Sequence, residues 1–103
     1  MADNELLIVV YSKRSLADVR TIRDYLLYKF TQREVNKLYN LLSDFEAVVA
    51  TFPDLYPLIE SNKKIRRAVL SKQLSVFYTY LTNTISIVAV LDNRMDDAKW
   101  PNS

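Results

Sequence analysis

Hydrophobic and polar positions along this chain switch between three rhythms, and each switch predicts an element. Glu5 to Tyr11 (ELLIVVY) is a β-branched and aromatic run that is apolar on both faces, which predicts a strand lying inside a sheet rather than at its edge. A helical rhythm follows. Ser15 with Asp18 has the form of a capping box, and Leu16, Val19, Ile22, Leu26 and Phe30 recur at helical spacing, predicting a first helix over Ser15 to Tyr28. Thr31 with Glu34 repeats the start signal. Val35, Leu38, Leu42, Phe45, Val49 and Phe52 then predict a second helix over Gln32 to Ala50, on the order of 30 Å long and ended by Pro53. So short a connection makes the two helices an antiparallel hairpin whose apolar stripes seek one partner, a sheet.

Phe52 to Asn62 carries two prolines and reads as an irregular loop, with Phe52, Leu55 and Leu58 expected to tuck inward. Strand rhythm then occupies Ile65 to Ser71, Leu74 to Leu81 and Thr84 to Leu91. The spacers Lys72-Gln73 and Thr82-Asn83 are short enough only for hairpins. Asn83 is the expected bearer of a positive φ in a chain without glycine. The last run is apolar on both faces and is expected to be central. The first run places cations on both faces, and Val69 is expected to point inward. The order predicts an α+β fold, β-α-α-β-β-β, with a helical hairpin on one face of a small, mostly antiparallel sheet and the other face open. Residues 1–103 form one domain in this reading, with a polar tail from about residue 95.

Composition narrows the chemistry. The 103 residues include no cysteine and no histidine, which rules out disulfides, zinc fingers and Ser-His or Cys-His catalysis. The absence of glycine rules out Gly-rich phosphate loops and the dinucleotide fingerprint. Proton transfer would have to use Lys, Arg, Tyr or a carboxylate. No cofactor and no metal is expected. The run Leu6 to Tyr11 is too short for a signal segment or a membrane span, so a soluble cytoplasmic protein with no membrane partner is expected.

Charge is placed rather than spread. Between Ser61 and Leu91 the chain has five cations (Lys63, Lys64, Arg66, Arg67, Lys72) and no carboxylate, against an overall balance of +2. Such a cluster can bind phosphate or an acidic protein surface; it can also simply keep an exposed strand from pairing with another chain. Tyr78 and Tyr80 can serve as acid-base or stacking groups, but their alternation with Leu74 and Val76 predicts packing against the helices. Arg94 follows a buried strand between Asp92 and Asp96, where a local ion pair competes with a functional role. Tyr25, Tyr28 and Tyr39, if off the apolar stripes, would leave an aromatic patch on the hairpin suited to a partner.

The element order, Tyr11-Ser12 followed by Leu16, Asp18, Val19, Ile22, Tyr25 and Leu26, the strand Ile65-Arg66-Arg67, the run Ser75-Val76-Phe77-Tyr78 and the ending Val90-Leu91-Asp92-Asn93-Arg94-Met95-Asp96 resemble the RelE/ParE superfamily. These are toxins of type II toxin-antitoxin modules, and the resemblance runs from Leu6 to Trp100. It implies growth inhibition and neutralisation by a cognate antitoxin, whose flexible C-terminal part folds onto the toxin. A homodimer, or a heterotetramer with the antitoxin, is left open. RelE-like members cut ribosome-bound mRNA; ParE-like members lack that residue set and poison DNA gyrase.

Transferred onto this chain, the nuclease pattern is incomplete. Arg66 can stand for its first strand lysine, but the next position on that face is Ala68. The third-strand arginine falls on Ser75, Arg94 matches, and the terminal tyrosine falls on Trp100, which has no phenol to exchange a proton. The resemblance therefore implies the ParE-like branch, with the RelE-like nuclease as alternative. For a nuclease the candidate catalytic residues are Arg66, Lys72, Tyr78 and Arg94. For target or antitoxin binding they are Lys63, Lys64, Arg66, Arg67, Lys72, Arg94 and Trp100.

Overall fold

The computed structural model describes residues 7–95. Strand β1 (Ile8–Tyr11) leads into helices α1 (Lys13–Lys29) and α2 (Gln32–Thr51). Strands β2 (Arg66–Val69), β3 (Leu74–Leu81) and β4 (Thr84–Asp92) follow, and a 3-10 turn over Asn93–Met95 closes the described chain. The sheet order is β1-β4-β3-β2, with β1 parallel to β4 and the other pairs antiparallel. This is the expected α+β architecture, two helices on one face of a four-stranded mixed sheet. The core lies between them: Val19, Ile22 and Leu26 of α1 and Val35, Leu38, Leu42, Phe45 and Val49 of α2 meet Val76, Tyr78, Ile85, Ile87 and Val90.

Helix α1 starts earlier than its apolar spacing suggests because Ser12, not Ser15, caps it. The Ser12 Oγ accepts the Ser15 N–H at 3.0 Å, and the buried Ser15 hydroxyl donates back to the Ser12 carbonyl at 3.0 Å. Asp18 is thereby released from capping; its Oδ2 accepts the Val90 N–H at 3.0 Å and ties α1 to β4. Thr31 caps α2 without a side-chain hydrogen bond. Leu16, Phe30 and Phe52, placed on the stripes by spacing, are exposed.

Strand β1 is at the edge of the sheet, not inside it. Its alternation is real: Val9 and Tyr11 face the helices, while Ile8 and Val10 are 56% and 46% exposed on the open face. Glu5 and Leu6 lie outside the described residues. Strand β4 is central as expected, and its apolar character on both faces has a local cause. Phe77 pairs with Ala89 and Tyr78 with Ile87, so Val88 is an extra residue in a bulge. That extra residue resets the alternation, so Ile85 and Ile87 before it and Val90 and Asp92 after it are all buried on the helix side.

Three further expectations are corrected. Thr82, not Asn83, takes the positive φ, at 56°. This is the sign pattern of a type II′ turn, in which the first central residue is left-handed. Val69 points outward and is 59% exposed, whereas Ala68 is buried. In β2, Arg66 and Ala68 pair with the inward Tyr78 and Val76, which fixes the face. Phe52, Leu55 and Leu58 are exposed; the loop is held instead by Tyr56, whose ring packs 5.7 Å from that of Phe45.

Candidate functional site

The five cations of residues 63–72 do not form one patch. Lys63, Lys64 and Arg66 gather at the start of β2 around a recess of about 440 Å³, with Leu58, Thr79, Tyr80 and Leu81 as its other walls. Arg67 points to the open face, its guanidinium carbon 5.8 Å from the centre of the Phe77 ring and its Nη2 3.5 Å from the Ser75 hydroxyl. Lys72 sits in the turn at the opposite end of β2, where its carbonyl accepts from the Asn93 side chain at 3.1 Å. Trp100 lies outside the described residues.

Arg66 is inward because its charge is met there. Its guanidinium donates to the Tyr56 carbonyl at 2.7 Å and pairs with Asp54 at 3.2 Å, two partners from the preceding loop. That loop also covers the edge of β2: the Arg67 N–H donates to the Pro57 carbonyl at 2.9 Å, and Leu58 bridges to Arg66.

Tyr78 is a core residue. Its ring packs edge-on against Phe45 at 5.6 Å and Tyr56 at 6.3 Å, and its hydroxyl donates to the Pro53 carbonyl at 2.7 Å. Burial pushes the Tyr78 phenol up to about 12, so it stays protonated at neutral pH. Tyr80, one pair further along, is at the margin of the core and exposed.

Arg94 is the most connected side chain of the candidate set. It grips both oxygens of the buried Asp92 at 2.8 and 3.0 Å, reaches Glu34 of α2 at 3.3 Å, and lies 5.4 Å from the centre of the Phe30 ring. The Asp92 hydrogen bond, with the Coulomb attraction of both carboxylates, raises its pKa further above an already high value. Its carbonyl accepts the Tyr25 hydroxyl at 3.1 Å, so Tyr25 belongs to the core and not to an outer aromatic patch. Beside this clasp is a recess of about 50 Å³ lined by Glu34, Lys37, Ser71, Gln73, Asp92 and Arg94, room for water rather than for a nucleotide. The contact between Arg94 and Glu34 spans 60 positions, and no local pattern announces it.

Two other surfaces are available. The open sheet face carries Arg67, Val69 and Phe77 on β2 and β3, Leu91 on β4, and Ile8 and Val10 on β1 at the opposite edge. On the helical side, a groove of about 330 Å³ runs between α1 and α2 over Leu16, Val19, Tyr39 and Leu42. At its base the Tyr11 hydroxyl donates to Glu46 at 2.6 Å; burial, reinforced by that carboxylate, raises the phenol's pKa. Among the described residues no group of three or more acidic, His or Cys side chains could hold a metal, and no helix is long and apolar enough to cross a membrane.

No known family model matches the chain, and no curated protein matches it. Solved structures do. The chromosomal ParDE TA system from P. aeruginosa contains a chain that superposes with a TM-score of 0.70 at 11% identity, over 84% of this chain and 96% of that one. The conserved hypothetical protein HP0894 from Helicobacter pylori gives 0.59 at 17% identity over 86% and 97%. The E. coli DinJ-YafQ toxin-antitoxin complex gives 0.57 at 18% identity over 91% and 100%. With so few identical residues the likeness is one of backbone, and what it establishes is that this chain shares the fold of these structures.

Proposed function

We propose that this chain is the toxin component of a type II toxin-antitoxin system, that it acts in the ParE-like manner by binding DNA gyrase, and that a cognate antitoxin neutralises it. The shared fold supports the toxin reading, since two of the superposed structures come from toxin-antitoxin systems. The choice of target rests on one observation: Tyr78, Arg94 and Arg66, three of the four nuclease candidates, are tied into the fold. Cleavage of RNA by its own 2′-hydroxyl needs a base, an acid and cations converging on one phosphate. Here the Tyr78 hydroxyl is buried against Pro53, and Arg94 is held by Asp92 and Glu34. Arg66 is held by Asp54.

The RelE-like ribosome-dependent mRNA endoribonuclease is the second reading. Arg67 favours it, because its guanidinium lies on the open face beside Ser75, where a phosphate could approach. The antitoxin is assigned to the helical groove, which offers apolar area for a helix. Strand addition at β2 would first have to displace residues 57–59.

The test is a pair of purified assays: supercoiling of relaxed plasmid by gyrase, and integrity of mRNA on translating ribosomes. Inhibited supercoiling with intact mRNA is the expected pair of results. Cut mRNA with undisturbed supercoiling would replace the ParE-like reading with the RelE-like one.

A further inference from the structure

We propose that the recess at the start of β2 is a docking site for an acidic peptide segment that carries an aliphatic side chain between its carboxylates. The site lies at the end of the sheet opposite the Lys72 turn and the Arg94 clasp, and it requires neither gyrase nor the ribosome as target. Its charge is built by local geometry. The Lys64 N–H donates to the Asn62 side chain at 2.9 Å and the Ile65 N–H to the Asn62 carbonyl at 3.1 Å, a tight turn that sets Lys63 and Lys64 at the mouth of the recess. Among the described residues neither ammonium has an ion-pair partner. Of the two carboxylates in the preceding loop, Asp54 is taken by Arg66, and Glu60 is not part of the recess wall. The mouth is therefore electropositive and uncompensated by its own walls.

The cations and the apolar wall together select the ligand. The one guanidinium present, Arg66, is held by Tyr56 and Asp54. Two flexible ammonium groups remain, point charges that attract either a carboxylate or a phosphate. The apolar half of the recess decides between them. Leu81 is 72% exposed, and Leu58 and Tyr80 flank it. Single-stranded nucleic acid needs flat aromatic platforms for its bases. Two leucines beside one ring instead form a socket for a branched aliphatic side chain, with the charges around its rim.

Fluorescence anisotropy with the full chain tests this, using a labelled peptide with a central Leu-Ile pair flanked by glutamates. An all-glutamate peptide of equal length and a labelled oligouridylate serve as competitors for the assignment. The Leu-Ile peptide is expected to bind best, and more weakly as salt rises. The double substitution Lys63→Glu, Lys64→Glu should weaken it about tenfold, the loss of two exposed charge pairs. Leu81→Ser should erase its advantage over the all-glutamate peptide, while Lys72→Glu at the far turn changes nothing. Lys63, Lys64 and Leu81 are surface residues, so each variant keeps the fold, which circular dichroism verifies. Absence of binding, indifference to the Lys63 and Lys64 substitutions, or tighter binding of oligouridylate overturns the proposal.

Discussion

Arg94 turns back on Asp92, two residues before it, and holds both of its oxygens, Nε at 3.0 Å and Nη2 at 2.8 Å. The Asp92 side chain is fully buried, whereas Arg94 keeps an exposed edge. Removing the arginine would strand a buried carboxylate with only the Arg94 backbone N–H, at 2.9 Å, as compensation. Arg94→Ala is therefore expected to cost about 2 kcal/mol, below the range for fully buried pairs because one partner reaches water. Arg94→Lys, which keeps charge but loses the fork, should cost about half as much. Urea unfolding measures both; a loss under about 0.5 kcal/mol for the alanine variant would mean that the clasp does not contribute to the fold.

Tyr78 gives the chain an alkaline limit. Its phenol rises from 10.0 in the unfolded chain to about 12 in the fold because burial disfavours the anion. Above pH 10 the unfolded chain gives up this proton while the native one retains it, so stability falls as pH rises. The contribution is complete below about pH 10 and is lost between about pH 10 and 12. Tyr11 is shifted in the same direction and adds to the slope. Thermal melts from pH 8 upward should show this decline, and Tyr78→Phe should flatten it while costing about 1 kcal/mol at neutral pH for the unpaired Pro53 carbonyl.

Thr82 is a β-branched residue at φ 56°, where a Cβ crowds its own backbone. Thr82→Gly is expected to stabilise the β3–β4 hairpin by about 1 kcal/mol, the relief of strain exceeding the greater freedom glycine adds to the unfolded chain. An increase in melting temperature is the readout. A decrease would mean that the threonine side chain contributes contacts outweighing its backbone cost.

The chain itself announces most of this fold, and what it hides has physical causes. The period-two run from Leu74 to Leu81 coincides with β3, because both its ends are set by turns too short to be anything else. The stripe from Val35 to Val49 faces the core as spacing requires. Val69 misleads because inward and outward positions of β2 are equally cationic, and the inward Arg66 is neutralised by Asp54 and Tyr56, partners that no alternation encodes. Strand β1 misleads because Ile8 and Val10 are apolar yet exposed at a sheet edge.

The candidate site was less legible. Its cations could be named but not grouped, since whether five charges in ten positions converge depends on which face and which end of β2 they occupy. The clasp of Arg94 on Glu34 and Phe30 joins residues about 60 positions apart, and only the packed helices bring them together. Asp18 has the spacing of a capping residue but anchors β4, a role decided by Ser12 taking the capping position.

Whether the proposed toxin works by binding its target or by cutting RNA is decided inside growing bacteria. Expression of the chain is induced, and growth, plasmid topology and mRNA integrity are followed in the same culture. Arrested growth, plasmid losing its negative supercoils, and mRNA of full length are the expected results. Unimpeded growth, or fragmented mRNA with normal plasmid topology, would contradict the proposal.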